Sequence, residues 1–106
     1  MEVIDAERAG ELIGRDGVVL LDVRTPREYD AVWIEGAVNA DWYRRDFTSL
    51  IAHLDPAAPT VLYCRTGQRS NDAMQLMDRL GFEELYDVGG GIIAWYQAGR
   101  PIEQGS

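Results

Sequence analysis

A chain of 106 residues with 46% hydrophobic content is long enough for one compact domain and too short for two. Eighteen acidic residues against ten basic ones leave a formal charge of −8, which argues against a nucleic-acid binder, a function that calls for a basic face. No apolar run approaches the roughly 20 residues of a membrane span, and the charged start Met1–Arg8 lacks the apolar core of a signal peptide. A single cysteine excludes an internal disulfide, so the expected setting is the cytoplasm, with no membrane partner.

In chain order the pattern alternates strand and helix, which predicts one α/β domain over 1–106, with its core at about 4–101. Its expected frame is a mainly parallel sheet of about five strands flanked by helices on both faces. Val3-Ile4 reads as a short edge strand. Asp5 then caps a helix carrying Ala6, Ala9, Leu12 and Ile13, which Gly14 stops. Val18 to Leu21 is continuously apolar, as in a strand covered on both faces. Thr25-Pro26-Arg27-Glu28 has the form of a capping box with proline at the first helical position, opening a helix through Ala31. Gly36-Ala37-Val38 suggests a brief strand, and Asp41 the cap of a helix running towards Leu54. A turn-rich break from Asp55 to Pro59 precedes a strand at Val61. A helix from Asn71 to Leu80, a strand at Leu85–Val88 and a last helix after Gly89-Gly90-Gly91 complete the pattern.

Ligands of open α/β sheets gather at the carboxyl ends of the strands. Three polar clusters fall at such ends: Asp22-Val23-Arg24, Cys64 to Ser70, and Gly89-Gly90-Gly91. The middle one is the most informative. Val61, Leu62 and Tyr63 deliver Cys64 to a short loop that opens a helix. The positive end of a helix dipole favours negative charge, and the thiolate is the reactive form of cysteine. Arg65 and Arg69 lie in the same loop and attract an anion, while Gly67 permits tight curvature. The spacing is C-x4-R. Cysteine-dependent phosphatases use C-x5-R, and the shorter ring suits a single sulfur atom better than a phosphoryl group.

These residues resemble the rhodanese-like sulfurtransferases in their short single-domain form. The matching segments are Leu20–Tyr29 (LLDVRTPREY), Ile34–Asn39 (IEGAVN), Val61–Ser70 (VLYCRTGQRS) and Gly89–Trp95 (GGGIIAW), with the trailing Gly99-Arg100-Pro101. The resemblance implies a double displacement. Cys64 takes the outer sulfur of thiosulfate or a similar small anionic donor as a persulfide. It then yields that sulfur to cyanide, a thiol or a partner protein. No cofactor is implied. Thr66, Gln68 and Ser70 are expected to join Arg65, Gly67 and Arg69 in the anion-binding loop, chiefly through backbone amides. Trp33 departs from the pattern, which commonly has histidine there; the expected effect is on packing.

Plainer readings stand beside these. Asp22, Arg24 and Glu28 suit structural support of the rim better than catalysis, since Glu28 has a capping task and Arg24 can pair with a carboxylate. His53, the only histidine, falls late in an expected helix, and no metal constellation is visible. Trp42, Trp95 and Tyr96 read as core or pocket wall. The lysine-free composition reads as codon bias. The rival functions are a non-catalytic rhodanese-like interaction or regulatory module, and a cysteine-dependent phosphatase or arsenate reductase.

Overall fold

The computed structural model describes residues 1–105. The chain opens with β1 (Glu2–Ile4) and α1 (Ala6–Ile13), where the Asp5 carboxylate accepts the Arg8 N–H at 2.8 Å. β2 (Val19–Asp22) follows, then α2 (Pro26–Ala31), entered through a complete capping box between Thr25 and Glu28. After the short β3 (Val32–Trp33) and β4 (Val38–Asn39) come α3 (Phe47–Ile51) and β5 (Thr60–Tyr63). The last elements are α4 (Gln68–Arg79), β6 (Leu85–Val88), α5 (Gly91–Gln97) and β7 (Glu103–Gln104).

Five strands form one parallel sheet in the order β1-β6-β5-β2-β4, with β5 at its centre. Its two faces carry separate apolar layers. Leu20, Val61, Tyr63 and Val88 pack with Ala9, Leu12, Ile92 and Trp95 on one side. Leu21, Val23, Leu62 and Leu85 pack with Phe47, Ile51, Met74 and Met77 on the other. Burial on both faces explains why β2 and β5 read as unbroken apolar runs rather than alternating ones. Helices therefore cover both faces: α1 and α5 on the first, α3 and α4 on the second.

The expected helix from Asp41 to Leu54 shortens to Phe47–Ile51, and His53 lies exposed beyond its end. The cause lies in the preceding backbone. Ala40 and Trp42 donate their N–H groups to the carbonyls of Asp22 and Val23, extending the sheet edge at 2.8 and 3.1 Å. The Asp41 carboxylate accepts the Tyr43 N–H at 2.9 Å and so holds a turn rather than capping a helix. The expected strand at Gly36-Ala37-Val38 starts later, at Val38, because Gly36 has φ +88° and Ala37 closes a turn onto Ile34. One feature has no counterpart in the sequence reading: β3 and β7 form a small antiparallel sheet, pairing Trp33 with Glu103. Trp33 also packs on Tyr29, with ring centroids 6.0 Å apart.

Candidate active site

Strand β5 ends inside the core, and Cys64 is 1% exposed there. Two donors meet its sulfur: the Gly67 N–H at 3.0 Å and the Ser70 hydroxyl at 3.3 Å. The chain turns sharply because Gly67 sits at φ +108°, a conformation costly for any residue with a Cβ. As a result α4 begins at Gln68, three residues before the expected start at Asn71. Gln68, Arg69 and Ser70 are therefore its first turn, whose N–H groups have no carbonyl four residues back within the helix. The loop proper is only Cys64 to Gly67.

The loop is held from behind by the glycine turn after β6. Ile92 and Ile93, in the first turn of α5, donate their N–H groups to the carbonyls of Cys64 (2.9 Å) and Arg65 (3.2 Å). Gly91, at φ +63°, makes this approach possible, because a Cβ there would overlap both of those carbonyls. The Gly90 backbone lies against Gly67, where a Cβ on Gly67 would come within 3.3 Å of the Gly90 nitrogen. Of the Gly89-Gly90-Gly91 cluster, Gly90 and Gly91 thus lie against the thiol loop, while Gly89 lies against Val3 and Ile4 of β1.

Arg65 in the loop and Arg69 in the first turn of α4 differ in their surroundings. Arg69 is committed to Glu28, donating from Nη1 and Nη2 to the two carboxylate oxygens at 2.7 and 2.9 Å, with its guanidinium over the Tyr43 ring. That pair pulls the Glu28 carboxyl down to about 2, chiefly through the Arg69 hydrogen bonds, and raises Arg69 further. Arg65 is exposed and makes no salt bridge among the described residues. It lines a cavity of about 540 Å³ together with Arg24, Glu28, Ile92, Ile93 and Tyr96. Thr66 and Gln68 are exposed and Ser70 is fully buried.

Asp22 and Arg24 form a buried pair of their own. Arg24 Nη2 donates to Asp22 Oδ2 at 2.6 Å and also to the Val32 carbonyl, while its Nε spans both Asp22 oxygens. Asn39 donates to the Asp22 and Arg24 carbonyls. This network ties the end of β2 to β3 and β4, and its contacts do not include the sulfur. Trp95 is core, Trp42 packs at the edge of the second apolar layer, and Tyr96 stands exposed on the cavity wall.

Asp87 was missed. It lies in β6, 2% exposed, and accepts the Ser70 hydroxyl on Oδ1 at 2.5 Å. The signal was a carboxylate within an otherwise apolar strand of a sheet buried on both faces.

Fold and site together describe an α/β domain whose central parallel strand hands a cysteine to a tight loop at the start of a helix. The profile of the rhodanese-like domain matches residues 5–98, and the chain belongs to that family. It is 34% identical over 100 residues to a thiosulfate sulfurtransferase, GlpE, of Pseudomonas putida, covering 94% of this chain and 88% of that one. It is 36% identical over 84 residues to a probable adenylyltransferase/sulfurtransferase, MoeZ, of Mycobacterium tuberculosis, covering 79% of this chain but only 21% of MoeZ. The fold is similar to that of a rhodanese-related protein from Thermoplasma volcanium, with a TM-score of 0.85, 27% identity, and coverage of 97% and 98% of the two chains.

Proposed function

We propose that this protein is a sulfurtransferase that moves a sulfane sulfur from thiosulfate, or a donor like it, to a thiophilic acceptor through a persulfide on Cys64. The observation that carries the reading is the Cys64 sulfur itself, buried yet met by an N–H and a hydroxyl at the start of α4. In the first half-reaction the thiolate attacks the outer sulfur of thiosulfate. The S–S bond of the donor breaks, sulfite leaves with the bonding pair, and Cys64 carries a terminal persulfide anion. In the second, cyanide or a thiol attacks that terminal sulfur, and the thiolate returns. Each state places negative charge in the loop, where the Gly67 N–H and the Ser70 hydroxyl meet the sulfur at the start of α4. Arg65, uncommitted and at the cavity mouth, suits the sulfonate end of the donor. Arg69, held by Glu28, contributes positive field and loop rigidity. The likeness to GlpE over nearly the whole of both chains supports thiosulfate as donor. A cytoplasmic setting suits a single unpaired thiol, because a reducing compartment keeps it available.

The test is steady-state thiocyanate formation from thiosulfate and cyanide, with an aryl phosphate run in parallel. The expected result is ping-pong kinetics, no turnover in Cys64→Ser, and no phosphate release. Aryl phosphate hydrolysis that depends on Cys64 would replace this reading with the phosphatase one.

A further inference from the structure

Behind the thiol loop, three groups that are each almost entirely buried stand in a row: the Asp87 carboxyl, the Ser70 hydroxyl and the Cys64 sulfur. Ser70 Oγ lies 2.5 Å from Asp87 Oδ1 and 3.3 Å from the sulfur. A hydroxyl has one proton to give, so it cannot serve both at once. We propose that Asp87 is a positioning residue for Cys64, taking up the thiol proton through the Ser70 hydroxyl, so that the row holds one negative charge at either its carboxylate or its sulfur end.

The two arrangements have the same atoms and the same charge. With Asp87 ionised, Ser70 donates to the carboxylate and the Cys64 S–H donates to Ser70 Oγ. Transfer breaks the S–H bond and forms a new O–H on Ser70, as the old Ser70 proton passes to Asp87. The carboxylic acid then donates to Ser70, whose proton now points at the thiolate. No other reactant is needed. The row includes no histidine; the sole histidine, His53, is exposed.

The surroundings of Asp87 suit a carboxyl that alternates between forms. On the neighbouring strands its register partners are Leu62 and Val3, both apolar. From α4 it meets Ser70 and Asn71, which are polar and uncharged. The loop's Arg69 is spent on Glu28, and among the described residues no arginine or histidine forms a salt bridge with Asp87. The nearest ionisable group along the row is Cys64 itself. Burial without a cation raises the Asp87 carboxyl to about 6, against the pull of its hydrogen bonds. Its proton is therefore exchangeable at neutral pH, which a salt-bridged aspartate would not allow.

The inference rests on Cys64 being the working thiol, and its test needs no sulfur donor. Thiolate ultraviolet absorbance and the rate of iodoacetamide alkylation are followed from about pH 4 to 9 in the wild type, Asp87→Asn, Ser70→Ala and the double variant. Two coupled acids titrate as a pair, so the wild type is expected to show thiolate appearing in two steps. Asp87→Asn should collapse them to one, completing the titration about one pH unit lower and giving about tenfold more thiolate below that midpoint. In the Ser70→Ala background the same substitution should change the profile less than about twofold. Matching profiles in wild type and Asp87→Asn would overturn the proposal, as would an Asp87→Asn shift of full size without Ser70. If Asp87→Asn fails to fold, Ser70→Ala alone decides: loss of the two-step profile upholds the relay, and its persistence removes it. Sulfur transfer is assayed separately, so an intact relay in a chain that transfers no sulfur would count against the sulfurtransferase reading alone.

Discussion

Two arginines four residues apart, Arg65 in the thiol loop and Arg69 in the first turn of α4, are set in different surroundings by a single neighbour. Glu28 claims Arg69 with both oxygens, fixing α2 against the start of α4, and leaves Arg65 the only loop cation facing the cavity without an acidic partner among the described residues. If binding of the donor falls mainly to Arg65, Arg65→Ala should raise the thiosulfate KM about tenfold with little change in kcat, a loss of about 1.4 kcal/mol of uniform binding. Arg69→Ala should instead lower kcat and the melting temperature together, because it frees Glu28 and loosens the first turn of α4. Steady-state kinetics on the two variants separates these patterns. An Arg69→Ala effect confined to KM would return the anion-binding role to Arg69.

At the scale of elements, the site depends on how α5 enters. Its first turn spends N–H groups on the carbonyls of Cys64 and Arg65, and only a residue without a Cβ fits at Gly91. Gly91→Ala should therefore destabilise the fold by about 2 to 4 kcal/mol, through overlap and a strained positive φ. A thermal melt reads this directly. A change of less than about 2 °C would mean that the loop moves aside at little cost. Elements governed by local chemistry were legible in the sequence. The capping box at Thr25–Glu28 and the buried strands at β2 and β5 declare themselves in adjacent residues. Elements set by distant partners were not. Trp42 gives its N–H to Val23, a sheet contact no helix-cap pattern reveals, so the segment after Asp41 read as helix. The pairing of Trp33 with Glu103 joins residues far apart in sequence and of unremarkable strand character. At the site, the C-x4-R spacing marked the loop, but the commitment of Arg69 to Glu28 and the reach of Asp87 to Ser70 are tertiary facts.

The whole molecule answers to pH through two carboxyls with opposite signs. Glu28 drops from its ordinary 4.5 to about 2 in the fold, so its contribution is present above pH 4.5 and is lost as pH falls towards 2. Asp87 rises from 3.8 to about 6, so the unfolded chain ionises first and stability falls as pH climbs through that interval. Urea unfolding across this range should show Glu28→Gln flattening the acid limb by on the order of 1 kcal/mol, discounted for a partly exposed pair. Asp87→Asn should remove the decline on the neutral side. Unchanged limbs in both variants would contradict these assignments. With a formal charge of −8 over the chain, an anionic donor of the kind proposed would have to be drawn to the loop by local field alone, within a Debye length of about 8 Å at physiological salt.

The most direct test of the central claim is the intact mass of the protein after incubation with thiosulfate and removal of the excess. A gain of one sulfur atom, reversed by cyanide and absent in Cys64→Ser, is the result expected of a persulfide enzyme. An unchanged mass with the Cys64 thiol demonstrably free would contradict thiosulfate-dependent persulfide formation at this loop.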